Sequence, residues 1–134
     1  MIDILAIDHL VLRTCNPQKL IDFYCQVLGC TIERKTEPEL GLTQLRAGSA
    51  LIDIVNVRSE LGKIGGAAPA KSGNNLDHFC LLVNKISEDT LVAHLSHYKV
   101  KYGDFAQRYG SQGFGSSIYI EDPDGNIIEL KSTL

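Results

Sequence analysis

Apolar residues recur along this chain in two rhythms, one suited to strands and one to helices, and the order of those rhythms is written twice. IDHLVLRT (7–14) alternates as a strand does. NPQKLIDFYCQVLG (16–29) has helical punctuation: Asn16 suits a cap, Pro17 the first helical position, and Gly29 the residue after the end. Leu20, Tyr24, Val27 and Leu28 fall on one face at helical spacing. Three more strand-like runs follow: CTIERKTE (30–37), LTQLRAG (42–48) and SALIDIVNV (49–57). This order predicts a βαβββ unit.

The second half repeats the order. LDHFCLLV (76–83) leads to Ser87, which can cap a helix over 88–100 carrying an apolar stripe of Leu91, Leu95 and Tyr98. Strands are predicted near VKYGDFAQ (100–107), in SSIYIED (116–122) and in NIIELK (126–131), with a type I turn at EDPDGN joining the last two. The stretch RSELGKIGGAAPAKSGNN (58–75) reads as a connector rich in glycine and small residues. The expected organisation is therefore α+β: module one at 1–57, the connector at 58–75 and module two at 76–134, within one domain of pseudo-twofold symmetry. A unit with one helix covers only one face of its sheet, so two units are expected to form a cupped, mixed β-sheet.

Residues that break the apolar pattern repeat as well. His9 and His78 each follow an aspartate at the start of a strand, and Asp53 and Glu129 each interrupt an apolar strand near the end of a half. Strand residues alternate between faces, so parity tests whether these groups share a side. Leu10 and Leu12 oppose His9; Phe79, Leu81 and Val83 oppose His78; Ile52 and Ile54 oppose Asp53; Ile128 and Leu130 oppose Glu129. Ile118 and Ile120 likewise leave Ser117, Tyr119 and Glu121 on the polar side. An isolated carboxylate there is costly unless paired or bound to a metal. Two imidazoles and two carboxylates from four strands make a ligand set for one divalent cation.

Bulk properties narrow the function. A chain of 134 residues and net charge −3 is of single-domain size and has no basic stripe for nucleic acid. No apolar stretch approaches the roughly 20 residues of a membrane span. The opening MIDILAIDHLVL is broken by Asp3 and Asp8 and does not read as a secretory signal. Cys15, Cys25, Cys30 and Cys80 have the scattered spacing of reduced thiols, so a cytoplasmic protein is expected.

The motifs IDHLVLRT, FYCQVLGC, LDHFCLLV and, above all, IYIEDPDGNIIEL resemble the vicinal oxygen chelate superfamily over essentially the whole chain. That superfamily includes glyoxalase I, the fosfomycin- and bleomycin-resistance proteins, methylmalonyl-CoA epimerase and the extradiol dioxygenases. The resemblance implies two βαβββ modules around a metal held by His9, Asp53, His78 and Glu129. Glyoxalase I has glutamate where this chain has Asp53, which is shorter by about 1.5 Å. Direct ligation, ligation through water and a three-ligand site with an additional open position all stay open there.

By the same resemblance, a substrate with two adjacent oxygens chelates Ni, Zn, Mn, Fe or Mg, and the metal stabilises an enediolate-like state. Glu129 is the first candidate for the base, with Asp53 the alternative, and Arg13, Tyr119 and Cys80 are candidates for substrate contact. The expected function is a metal-dependent lyase or isomerase of glyoxalase type, working as a homodimer on a small dicarbonyl-derived or thiol-conjugated compound. The alternatives are a thiol transferase like the fosfomycin-resistance enzymes, an extradiol dioxygenase and a metal-free drug-binding protein. His94 and His97 read as an exposed helical face. QRYGSQGFG (107–115) is read as a lid or substrate-selecting loop, against an ordinary hairpin connection.

Overall fold

A computed structural model describes residues 1–133; Leu134, the last residue of the second expected module, lies outside the described residues. The elements run β1 (His9–Thr14), α1 (Pro17–Asp22), β2 (Thr31–Lys35), β3 (Leu42–Ala47), β4 (Ala50–Asn56), α2 (Glu60–Ile64), β5 (His78–Val83), α3 (Glu88–His97), β6 (Ala106–Gly110), β7 (Gly113–Glu121) and β8 (Ile127–Ser132). They form two compact units that divide between Ala70 and Lys71, inside the expected connector. The first holds a four-stranded sheet in the order β1-β4-β3-β2 and the second a sheet in the order β5-β8-β7-β6. In each, the edge strand that opens the module, β1 or β5, runs parallel to its neighbour and the remaining pairs are antiparallel. The fold is α+β, two βαβββ modules of one topology.

Local chemistry sets the helix ends. The Asn16 side chain accepts from Lys19 N–H at 3.3 Å, and Pro17 takes the first turn, where its missing N–H costs nothing. The helix does not stay regular to residue 29 as expected. It widens into a π-helical stretch over Phe23–Val27, which buries the adjacent rings of Phe23 and Tyr24 edge to face at 5.3 Å. In module two Ser87 Oγ accepts from Thr90 N–H at 3.2 Å and opens α3. That helix stops at His97, short of the expected residue 100. Lys99 takes a left-handed φ of 56° and Val100 N–H closes onto Leu95 C=O at 2.9 Å.

The cores follow the parity of the strands. Leu12, Leu45, Ile52 and Ile54 are buried in module one with Leu20, Ile21 and Tyr24 of the helical segment. Ile118, Ile120, Ile128 and Leu130 are buried in module two, as are Leu91 and Leu95 of α3. Each fully buried Leu or Ile contributes roughly 1.5–3 kcal/mol. The turn before β8 forms as expected: Gly125 N–H donates to Asp122 C=O at 3.0 Å. The Asp122 carboxylate also accepts from the backbone N–H groups of Asp124 and Asn126 at 2.9 and 3.0 Å.

Three expectations are corrected. The connector holds a short helix, α2, capped by Ser59, whose Oγ accepts from Gly62 N–H at 3.1 Å. The strand expected near 100–107 begins only at Ala106; before it, the chain makes a single bridge, Tyr102 to Ile120. Residues 107–115 are not an irregular loop. They are most of a β6–β7 hairpin, with Tyr109 opposite Phe114 and their rings edge to face at 5.1 Å. Two of its glycines make room for a side chain: a Cβ on Gly110 would stand 2.9 Å from Lys131 Nζ, and one on Gly115 3.0 Å from Lys131 Cε.

Candidate metal centre

Strand register brings a histidine and a carboxylate together in each module. In module one His9 lies opposite Leu51 on the parallel neighbour, and Asp53 is two residues further along β4. In module two His78 lies opposite Ile127, and Glu129 is two residues further along β8. The offset is the same in both and is even, so each pair shares a face.

The histidines are held alike. His9 Nδ1 is 2.6 Å from Asp8 Oδ1, and His78 Nδ1 is 2.7 Å from Asp77 Oδ2. A carboxylate on Nδ1 fixes the tautomer and leaves the Nε2 lone pair outward, the orientation found in metal-ligating histidines. Hydrogen bonding to Asp8 holds His9 above the ordinary imidazole range; burial works against this, and Asp53 adds to it. The repeated Asp-His dipeptide was the signal in the sequence, and its aspartates have this positioning role.

The carboxylates are held differently. Asp53 is buried, and the Gln44 amide, directly opposite on β3, reaches Oδ2 at 3.2 Å and Oδ1 at 3.4 Å. Glu129, also buried, accepts a short 2.6 Å bond from Ser117 Oγ on Oε1. Its Oε2 stands 3.4 Å from His78 Nε2. That gap exceeds the ~2.7–2.9 Å of a charge-assisted N–H···O bond. In the tautomer that carries its proton on Nδ1, toward Asp77, Nε2 faces Oε2 as a second acceptor. Two facing acceptors fit a cation. Among the described residues no group of three or more His, Cys, Asp or Glu side chains is gathered for a metal, so what each module offers is a pair.

The remaining candidates are placed as follows. The Arg13 guanidinium is engaged by backbone carbonyls: Nε and Nη2 donate to Gly62 C=O, Nη2 also to Gly66 C=O, and Nη1 to Ala67 C=O, so the side chain ties β1 to the end of α2. Tyr119 packs its ring against His78 at 5.2 Å, edge to face, and under the Arg108 guanidinium at 4.4 Å. Cys80 pairs with Glu129 in register; burial first, and then the Glu129 charge, push its thiol up, so it is no activated nucleophile. The rings of His94 and His97 both rest on Tyr98. Sequence reasoning missed Gln44, which reaches Asp53 from the neighbouring strand, and Arg108, which bears on Glu129 through Ser117.

Two copies of one βαβββ unit, each setting a histidine and a carboxylate at the same offset, define a class of α+β proteins made by repetition of a single module. A family model, the Glyoxalase/Bleomycin resistance protein/Dioxygenase superfamily, matches residues 6–130. The chain belongs to that superfamily. It is 27% identical over 114 residues to a catechol-2,3-dioxygenase of Bacillus subtilis, a match covering 84% of this chain and 36% of that protein, so it spans about a third of that relative. It is 28% identical over 127 residues to a probable lactoylglutathione lyase of Synechocystis, covering 93% of each. Among solved structures, a virulence protein of Salmonella typhimurium superposes with a TM-score of 0.75 at 26% identity, covering 99% of this chain and all of that one. No helix among the described residues is long and apolar enough to cross a membrane.

Proposed function

We propose that the chain is a metal-dependent lyase or isomerase of glyoxalase type, with His9 and Asp53 of module one and His78 and Glu129 of module two as the donors to a divalent cation. The observation that carries this reading is the repeated pair: the same register offset and the same Asp-held imidazole occur in both modules. The bound cation supplies Lewis acidity to a substrate with two adjacent oxygens.

The chain's own groups supply the rest. Asp8 and Asp77 keep the two imidazoles in the tautomer with Nε2 free. Ser117 holds one Glu129 oxygen, and the Glu129 carboxylate is the group that accepts a proton from carbon beside a carbonyl and returns it to the neighbouring carbon. Tyr119 stands edge to face against His78 beside that position. The substrate proposed is small and thiol-conjugated, and the protein acts as a homodimer.

The test pairs metal analysis with turnover. Purified protein is expected to hold about one transition metal per chain and to isomerise the glutathione hemithioacetal of methylglyoxal. Glu129→Gln should abolish turnover, and His78→Ala should lose the metal. A wild-type protein that binds none of Ni, Zn, Mn, Fe or Mg would overturn the reading. The B. subtilis relative favours a second reading, an extradiol dioxygenase, since two histidines and one carboxylate also suit non-haem iron. Iron in the protein together with oxygen uptake on a catechol would select it.

A further inference from the structure

Five side chains of module two close into a ring of contacts. Arg108 Nη1 donates to Ser117 Oγ at 2.9 Å and to Ser117 C=O at 2.7 Å. Ser117 Oγ–H in turn donates to Glu129 Oε1, a bond of 2.6 Å. Glu129 Oε2 faces His78 Nε2, the His78 ring meets Tyr119, and Tyr119 lies under the Arg108 guanidinium, which completes the circuit. The members come from β5, β6, β7 and β8, so the ring spans every strand of the sheet.

The place of Ser117 in this ring is chemically specific. It is fully buried, where a hydroxyl is unfavourable unless its bonds are made, and here it both accepts and donates. An arginine paired directly with Glu129 would take both carboxylate oxygens in a fork and leave none for a cation. With a hydroxyl between them, the guanidinium stands one bond away and only Oε1 is used. In module one the carboxylate has no such arrangement: a single amide nitrogen, that of Gln44, touches both oxygens of Asp53.

We infer that Ser117, polarised by Arg108, is a positioning residue that fixes Glu129 Oε1 and reserves Oε2 for the cation. Glu129 is thereby the anchoring carboxylate of the chain, and Asp53 the looser one. The inference rests on the proposed metal-binding reading and adds to it how one ligand is aimed.

The experiment is a titration of metal-stripped full-length protein with Co²⁺, following both affinity and the visible ligand-field band. Ser117→Ala and Ser117→Thr are compared with wild type, and the thermal transition of each is recorded. Loss of an outer partner of a ligand typically weakens metal binding by about 10–100-fold. Ser117→Ala is expected to fall in that range with a shifted band, while Ser117→Thr, which keeps the hydroxyl, recovers both. If either variant lacks a cooperative transition, Arg108→Met probes the same arrangement from its outer end, with the same weakening expected. Unchanged affinity and an unchanged band in a folded Ser117→Ala or Arg108→Met overturn the inference while the metal reading stands. A wild-type chain that takes up no Co²⁺ overturns both.

Discussion

Arg13 shows how far a single residue can depart from what its place on a strand implies. Parity sets it on the same side of β1 as His9, yet its long stem carries the guanidinium away to the carbonyls that end α2. No local pattern signals that reach, because the acceptors lie about fifty positions away in the chain. Arg13→Ala is expected to cost about 1–2 kcal/mol in urea unfolding, since these bonds are partly exposed, and to leave cation affinity unchanged. Glycine at 62 belongs to the same junction: a Cβ there would run into the Asn56 carbonyl, so Gly62→Ala should cost about 1–3 kcal/mol in the same assay. The cysteines differ by environment in a way the sequence does not display. Burial holds the Cys30 thiol at about 11, with Cys25 adding to the shift, whereas Cys15 is exposed. Iodoacetamide at pH 8 followed by peptide mapping should label Cys15 first and leave Cys30 for the unfolded chain.

Elements were legible where their ends and faces are set by near neighbours. Asn16, Ser87 and the Asp122–Gly125 turn each make the bond that their residue type suggests, and the buried isoleucines of β4, β7 and β8 sit where alternation puts them. Elements fixed by distant contacts were not legible. The helix α2 is five residues long and shows only its cap, and the glycines of the β6–β7 hairpin look like loop residues until Lys131 is seen lying over them. The end of α3 has a non-glycine residue in the left-handed region, a conformation that costs an L side chain roughly 1–2 kcal/mol. Lys99→Gly is therefore expected to raise the thermal midpoint, recovering up to about 1 kcal/mol by calorimetry. Across β2 and β3 the Arg46 guanidinium meets the Glu33 carboxylate in two bonds of 3.1 Å and holds its pKa below the ordinary value. A depressed carboxylate stabilises the fold above its unfolded pKa, and that contribution disappears as pH falls through the folded value. The midpoint gap between wild type and Glu33→Gln should be small at neutral pH and vanish in acid, since this pair is exposed.

At the scale of the whole molecule, the doubling of one unit carries both the fold and the candidate chemistry. The repeat was legible because duplicated Asp-His strands and duplicated carboxylate-bearing strands survive in one chain. How each carboxylate is held was not, since Gln44 and Ser117 act from neighbouring strands whose register no single stretch discloses. A cation bound only by the folded chain stabilises it by mass action, by about 2.7 kcal/mol at a concentration one hundred times its Kd. Chelator-treated protein should therefore melt lower than protein resupplied with its metal, and Glu129→Gln should abolish most of that difference. The even offset between histidine and carboxylate has another result. Sliding β8 by one residue against β5 would send Glu129 to the apolar side and turn Ile128 and Leu130 to the opposite one in the same movement. Under the proposed reading, ligand geometry and oily packing stand or fall together, and capture of an ion would be a spell-check on the threading of the strands.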